Sequence, residues 1–392
     1  MHALSQEIGA AGALGSDWDA LVLHVSVGCF IHCSAIAFLC TWGHQQVLAG
    51  RRIILRGDDD VLRYLARMDL HHHLGVAYDA SRRQSEVGRF LPLRLIAGDA
   101  DVFGNVNAIC DLVLHQFENA RAFIPALEWA VNEIIDSILI HAESPAPGAV
   151  CAQYFPHEHR LDVGICDVGR GIKTSLSESR HIWSHGDAVT TALQRGVTRN
   201  PDIGAGNGMA GALEIATKNQ GGLQVWTGDV VYRLENGSEK GFAQMPAVPG
   251  TGVMFSLDTR RPVDLTYTWI AGGDWSYIDA EAERIGQTGG IRVVDECTNT
   301  GTRAPAQRLR RKVQSLLPGM SGPLILDFSG VDSAASSFLD ELLGRLSASL
   351  GTDEFRRDIQ IIGMDPLIRH IANVVIEQRI KGLGHPSRAD RE

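Results

Sequence analysis

Hydrophobic runs and polar breaks divide the chain into alternating strands and helices. Residues 20–42 form an apolar run, and no Lys, Arg, Asp or Glu lies between Asp19 and Arg51. The run is long enough to span a bilayer. His24, Ser26, Gly28 and His32 interrupt it, however, and it splits into a β-rich part (20–27) and a helical part (34–48). A buried strand followed by a helix is uncharged for ordinary reasons, and this is the reading adopted. A short strand follows at 51–57, and Asp58 to Asp60 supply N-cap chemistry for a helix through Met68. The order β-α-β-α predicts a small α/β unit. Residues 76–105 read as a connector that contains RFLPLRLI (89–96).

The middle of the chain changes character. Two helical stretches, 106–122 and 125–142, end at PAPG (145–148). Two well-alternating strands follow, at 150–155 and 160–168. Gly-rich and polar sequence fills 169–207, before a helix at 209–218 and strands near 223–226, 230–234 and 252–257. Helices followed by an antiparallel sheet predict an α+β sandwich, closing near residues 260–262. The tail returns to α/β patterning. It has a buried strand at 322–331, an amphipathic helix at 336–351 with Gly351 as its cap, and a strand at 359–364. Residues 386–392 are polar and read as a disordered end. Residues 21–39 align without gaps on 324–342, matching His24 to Asp327, Ser26 to Ser329 and Cys33-Ser34 to Ser336-Ser337. This is a weak internal repeat.

Composition narrows the function. The 392 residues carry 36 basic and 46 acidic side chains, a net charge of −10. An acidic balance argues against a partner bound mainly through nucleic-acid phosphates. Seven cysteines, an odd number with no CxxC pair, read as reduced thiols of a cytoplasmic protein. The expected partners therefore exclude nucleic acid and membrane. His71-His72-His73 has no spaced partner residue, and His157-Glu158-His159 lacks metalloprotease spacing, so neither is expected to hold a metal.

Three elements carry candidate chemistry. Glu133, Ser137 and His141 are spaced i, i+4, i+8 and share one helical face among Ile and Leu. Asp167, in DVGRGI after a strand, puts a carboxylate beside glycine backbone that can approach a flat ligand. GAGNGMAG (204–211) opens a helix with free N–H groups suited to an anion. Plain alternatives are an exposed helical carboxylate for Glu133 and a strand-end turn for Asp167. For His141, a partner for the helix C-terminal dipole is favoured over catalysis.

In this order the elements resemble the N-box, G1 box and G2 box of the GHKL (Bergerat-fold) ATP-binding domain, over about residues 106–258. GTGVMFSL (250–257) resembles its closing strand, and ALQRGVTRN (192–200) the lid segment of the anti-sigma-kinase-like branch. The resemblance implies a mixed sheet covered on one face by helices. It implies ATP and Mg²⁺ as cofactors, with Asp167 accepting from the adenine amine. Gly169, Gly171, Ile172 and Thr251 would lie around the base, and Gly204, Gly206 and Gly208 would wrap the phosphates. Glu133 would orient or deprotonate the attacking group. The family's Asn metal ligand is replaced by Ser137, a departure that bears on hydrolysis more than on binding. No phosphoacceptor helix of the histidine-kinase type is present, since His115 lacks the required Glu/Asp and Arg context.

ILDFSGVDSAASSFLDELLGRL (325–346) resembles the STAS-like domain of unknown function found beside such modules, over about 285–382. The first 75 residues resemble a degenerate copy more loosely. In STAS antagonists a Ser at the helix start is phosphorylated; the matching position is Ser336, where Ala335 replaces the usual Asp and ordinary capping is favoured. The expected architecture is α/β and α+β multidomain, with a central Bergerat-fold α/β sandwich between two small STAS-like α/β domains. Its boundaries are 1–75, a connector 76–105, 106–260, a linker 261–284, 285–382 and a tail 383–392. The expected function is a cytoplasmic ATP-binding regulator that couples lid closure to a protein partner through its STAS-like domains, with slow hydrolysis or serine-kinase activity and a homodimer as further expectations. The alternatives are a nucleotide sensor without turnover, or an interaction scaffold whose site has lapsed.

Overall fold

The computed structural model describes residues 20–25, 31–78, 88–114, 116, 120–197, 208–265, 290–297, 299–317 and 322–382. The chain forms two compact units that divide at Val263 and Asp264. It is a mixed α/β protein with several sheets.

Unit 1 opens with β1 (Ala20–Val25), α1 (Cys33–Leu48) and β2 (Arg52–Gly57), with β1 and β2 paired in parallel. α2 (Asp59–Arg67) and the short α3 (Leu70–His73) follow. Asp58 is the N-cap of α2, although its side chain makes no capping hydrogen bond. β3 (Phe90–Ile96), α4 (Asp99–Leu114) and α5 (Ile124–Ser137) lead to β4 (Gly148–Phe155) and β5 (Arg160–Cys166). Then come α6 (Gly171–Leu176), α7 (His185–Ala192), α8 (Gly208–Asn219), β6 (Gly222–Glu235) and β7 (Ser238–Asp258). The five strands form one sheet in the order β3-β4-β5-β7-β6, and every described pairing is antiparallel. The resemblance implied a mixed sheet.

The uncharged run is explained by where α1 lies. From Cys33 to Gly43 the helix is buried on all sides, as a helix that is apolar all round must be. One side packs on β4, β5 and β7; the other meets β2 and α3. No helix among the described residues is long and apolar enough to cross a membrane. Sequence patterning separates residues 1–75 from the rest of the chain, yet α1 shares one core with β4, β5 and β6. Phe38 meets Trp226 edge to face with ring centroids 5.0 Å apart, and the Cys151 and Cys166 thiols donate to the Cys33 and Ser34 carbonyls at 3.3 and 3.1 Å. The six described cysteines are buried and free.

Covering the second face also buries β4 and β5 along all but their joining ends, Phe155 and Arg160. Their polar positions find partners. Tyr64 Oη donates to Gln153 Oε1 at 2.8 Å, and Arg160 pairs with Asp162 at 3.0 Å. Gly164 marks the closest approach, because a Cβ there would collide with the Cys33–Ser34 backbone. Gly164→Ala is therefore expected to lower stability by about 1–3 kcal/mol through overpacking, read as a drop in melting temperature. An unchanged melt would show that α1 can retreat from the sheet.

Three further differences have local causes. RFLPLRLI is an edge strand rather than a connector; Pro92 lacks an N–H, and the register shifts between Leu91 and Arg94, as a sheet edge allows. The expected strands at 223–226 and 230–234 belong to one long β6, bulged at Thr227–Gly228. β7 begins at Ser238, fourteen residues before the expected 252, and completes a curled hairpin.

Unit 2 holds β8 (Ile291–Arg292), α9 (Val293–Glu296), α10 (Arg303–Leu316) and β9 (Leu324–Asp327). A continuous helical stretch follows: α11 (Ser336–Leu339), a π turn (Asp340–Gly344) and α12 (Arg345–Leu350). α13 (Thr352–Asp358), β10 (Ile359–Ile362) and α14 (Pro366–Gly382) complete it. The sheet is parallel, in the order β10-β9-β8. The aligned repeat corresponds to matching geometry. β1 and β9 each lead into a helix that starts nine residues after His24 or Asp327, and each pairs in parallel with the next strand. Ser336 is the first helical residue and Ala335 takes the N-cap position, which corrects the capping role expected for Ser336.

Candidate functional site

The Glu133 helix starts at Ile124, where Pro125 suits a first turn that needs no N–H donor there. It buries Asn132, Ile134, Ile135 and Asp136, leaving Glu133 and Ser137 half-buried on another face. The expected α-helix to Ala142 becomes a π turn over Ile138–Ala142 and ends at Glu143 in left-handed conformation. Widened turns of this kind recur at functional sites. Ser137 Oγ donates to the Ile134 carbonyl at 2.7 Å, so its proton is committed while oxygen lone pairs remain.

The π turn is joined to the Asp167 loop. The Arg170 N–H donates to the Ala142 carbonyl at 2.9 Å, and Arg170 Nε donates to the His141 carbonyl at 3.3 Å. The Arg170 guanidinium also pairs with Glu143 at 3.3 Å and Glu178 at 2.6 Å. Gly169 permits this approach, since a Cβ there would collide with the Ala142 carbonyl. Arg170 lies inside the DVGRGI motif, but only the structure shows it tying two elements together.

Asp167 directly follows β5 and is 3 % exposed. Its Oδ1 accepts from the Gly169 N–H at 2.7 Å, and its own N–H donates to the Thr251 carbonyl at 2.9 Å. Burial pushes the carboxyl up to about 6, against the lowering effect of N–H bonds from Gly169 and Thr251. Gly250 has φ +73°, and a Cβ there would collide with the Asp167 carbonyl. The buried hydroxyl of Thr227 staples this corner. It accepts from the Ile172 N–H at 3.3 Å and donates to the Gly250 carbonyl at 2.9 Å. Gly171 lies against it, an added Cβ falling 2.8 Å from Thr227 Oγ1. No local motif flags Thr227, because its partners are fifty-five and twenty-three residues away.

Glu133 faces the start of α8: a Cβ at Gly208 would lie 3.0 Å from Glu133 Oε2. A carboxylate there also complements the helix N-terminus. Gly211 packs on Trp129 in the same contact between α5 and α8. Gly204 and Gly206 lie outside the described residues, as does the part of the expected lid from 198 to 200. The segment before it is two helices rather than a loop, and Ser184 Oγ caps α7 by accepting from the Asp187 N–H at 3.0 Å. Thus Glu133, Gly208, Asp167, Gly169, Gly171, Ile172 and Thr251 belong to one set of touching elements. Ser336 lies in unit 2. Among the described residues no group of three or more His, Cys, Asp or Glu could hold a metal. His73 instead places Nε2 3.0 Å from the Leu93 carbonyl.

Neither the curated proteins nor the solved structures include a match to this chain. Residues 305–369, from α10 into α14, match the family model described as a STAS-like domain of unknown function (DUF4325), so this stretch of unit 2 is STAS-like.

Proposed function

We propose that unit 1 is a GHKL-type module that binds ATP between the Glu133 helix and the Asp167 loop. The observation that carries this reading is a single helix making two contacts. Its end lies on the Asp167 loop, and its middle abuts the first residue of α8. A buried carboxylate with one oxygen held by a loop N–H is a selective acceptor for an exocyclic amine. Gly204, Gly206 and Gly208, at the opening of α8, would supply N–H groups to the phosphates. Ser137 would give Mg²⁺ one oxygen, with ligand phosphates and water providing the rest. Glu133 would orient or deprotonate the attacking water or hydroxyl. Unit 2, STAS-like in part, would meet the protein partner, and the looser STAS resemblance of the first 75 residues belongs to the same proposal.

Calorimetric titration of the full chain with ATP, with and without Mg²⁺, tests binding. Glu133→Gln is expected to keep ATP affinity within about threefold while lowering phosphate release about a hundredfold. Release that persists in this variant would remove Glu133 from the chemistry. Binding without any release in the wild type would favour a nucleotide sensor. No binding in either condition would leave an interaction scaffold.

A further inference from the structure

Unit 1 contains a cavity about 17 Å along β5 from Asp167, given five residues at a strand rise of about 3.3 Å. It arises because the β6–β7 hairpin curls back on itself. The Gly237 N–H donates to the Gly221 carbonyl at 2.9 Å, and a Cβ at Gly222 would lie 3.2 Å from the Leu234 carbonyl. Between the curled hairpin and the start of α1, no helix among the described residues lines the space over the sheet face. Two chambers of about 360 and 470 Å³ occupy that space and share His32 and Gln224.

The chambers differ in chemistry. Strand register places Asp162 beside Ser256, and Met254 beside Gln224, on the floor of the first. Asp162 is 3 % exposed and is the one buried charged residue lining either chamber. The Arg160 side chain, 34 % exposed, is shared between Asp162 at 3.0 Å and Glu158, and Arg260 is 60 % exposed and held by Asp258. Burial lowers the pKa of His32, which favours its neutral form. The second chamber is walled by Trp226, Val231 and Met245. The Trp226 indole N–H is buried with no acceptor among the described residues. Glu158, Asp162, Glu235 and Asp258 line the first chamber against Arg160 and Arg260, and this excess of negative charge selects for a cation, because charge counts most where water is excluded.

We propose that this cavity is a second ligand site, for a small molecule with an amine cation at Asp162 and an apolar body along Met254, Trp226 and Met245. The site is independent of the nucleotide reading. Burial raises the Asp162 pKa, opposed by Arg160, Ser256 and His32, and a bound amine would add to that opposition.

The test uses the full chain and three probes of one shape: 2-phenylethylamine, 2-phenylethanol and phenylacetate. Calorimetry is expected to show the amine binding at least about tenfold tighter than the alcohol, with phenylacetate weakest. Asp162→Asn should cost the amine about tenfold and leave the alcohol unchanged, and Val231→Trp should weaken both by filling the apolar chamber. Both variants are first checked for a wild-type melting temperature, and the probe comparison on the wild type needs neither. ATP should not compete with the amine. Absent amine binding, equal affinity for the three probes, preference for phenylacetate or competition by ATP would each overturn the proposal.

Discussion

Asp167→Asn is expected to stabilise the ligand-free protein near neutral pH while weakening ATP binding. The carboxyl is buried, and its pKa lies at about 6 instead of 3.8. A raised carboxyl holds its proton more tightly in the folded state than in the unfolded one. Stability therefore falls as pH rises from about 4 to about 6, and the full cost, about 3 kcal/mol at 1.36 kcal/mol per pKa unit, is present above that window. Asn has no charge to bury and keeps an acceptor for the Gly169 N–H. The variant should melt several degrees higher at about pH 7.5 and match the wild type near about pH 4. ATP affinity should fall about a hundredfold, because the amide cannot offer a charged acceptor to the adenine amine. In the wild type, affinity should rise with pH through about 6, as the carboxylate forms. Paired melting curves and titrations across that range check both halves. A variant that melts lower at neutral pH and still binds ATP would remove Asp167 from the site.

Asp340→Ala should have the largest effect on stability. Asp340 is 1 % exposed in the π turn, and Arg379 from α14 grips it through Nε and Nη2, both at 2.6 Å. Arg303 from α10 adds a bond at 3.1 Å. Glu341, next in sequence, takes Arg310 and Arg345, each at 3.0 Å. Gly344 keeps the space open, since a Cβ there would lie 2.8 Å from Asp340 Oδ1 and 3.2 Å from Arg379 Cγ. Removing Asp340 leaves two guanidiniums largely buried without their shared carboxylate, a loss of about 3–5 kcal/mol. Hydrogen exchange of the α14 amides should accelerate by about a hundredfold to a few thousandfold if they exchange through opening of unit 2. Replacing both partners with apolar residues, Asp340→Leu with Arg379→Met, should recover much of the loss, because the charge-burial cost goes with the pair. If the single variant exchanges like the wild type, the cluster is not what holds α14 to the π turn.

Local patterns were legible where period and end signals agree. The strand and helix of 20–48 and of 324–350, and the strand preceding Asp167, announce themselves through apolar runs and small residues at their junctions. The helical face of Glu133 and Ser137 follows from spacing alone. The expectations that changed involve remote partners. The resemblance implied helices on one face of the sheet, but α1, about a hundred residues before β4, packs on β4, β5 and β7 as well. Arg89 to Ile96 lacks clean alternation because Pro92 and the register shift sit at a sheet edge.

Neighbouring residues and the periods 2 and 3.6 were enough to specify which segments are apolar, where strands and helices begin, and which carboxylate stands at a strand end beside glycines. Packing in three dimensions was needed to establish that α1 closes the second sheet face, that Thr227 and Arg170 brace the Asp167 corner, and that the curled hairpin leaves a cavity over Asp162. Each of these depends on backbone meeting backbone across long separations, where burial is set by whichever element arrives, and no local pattern records that.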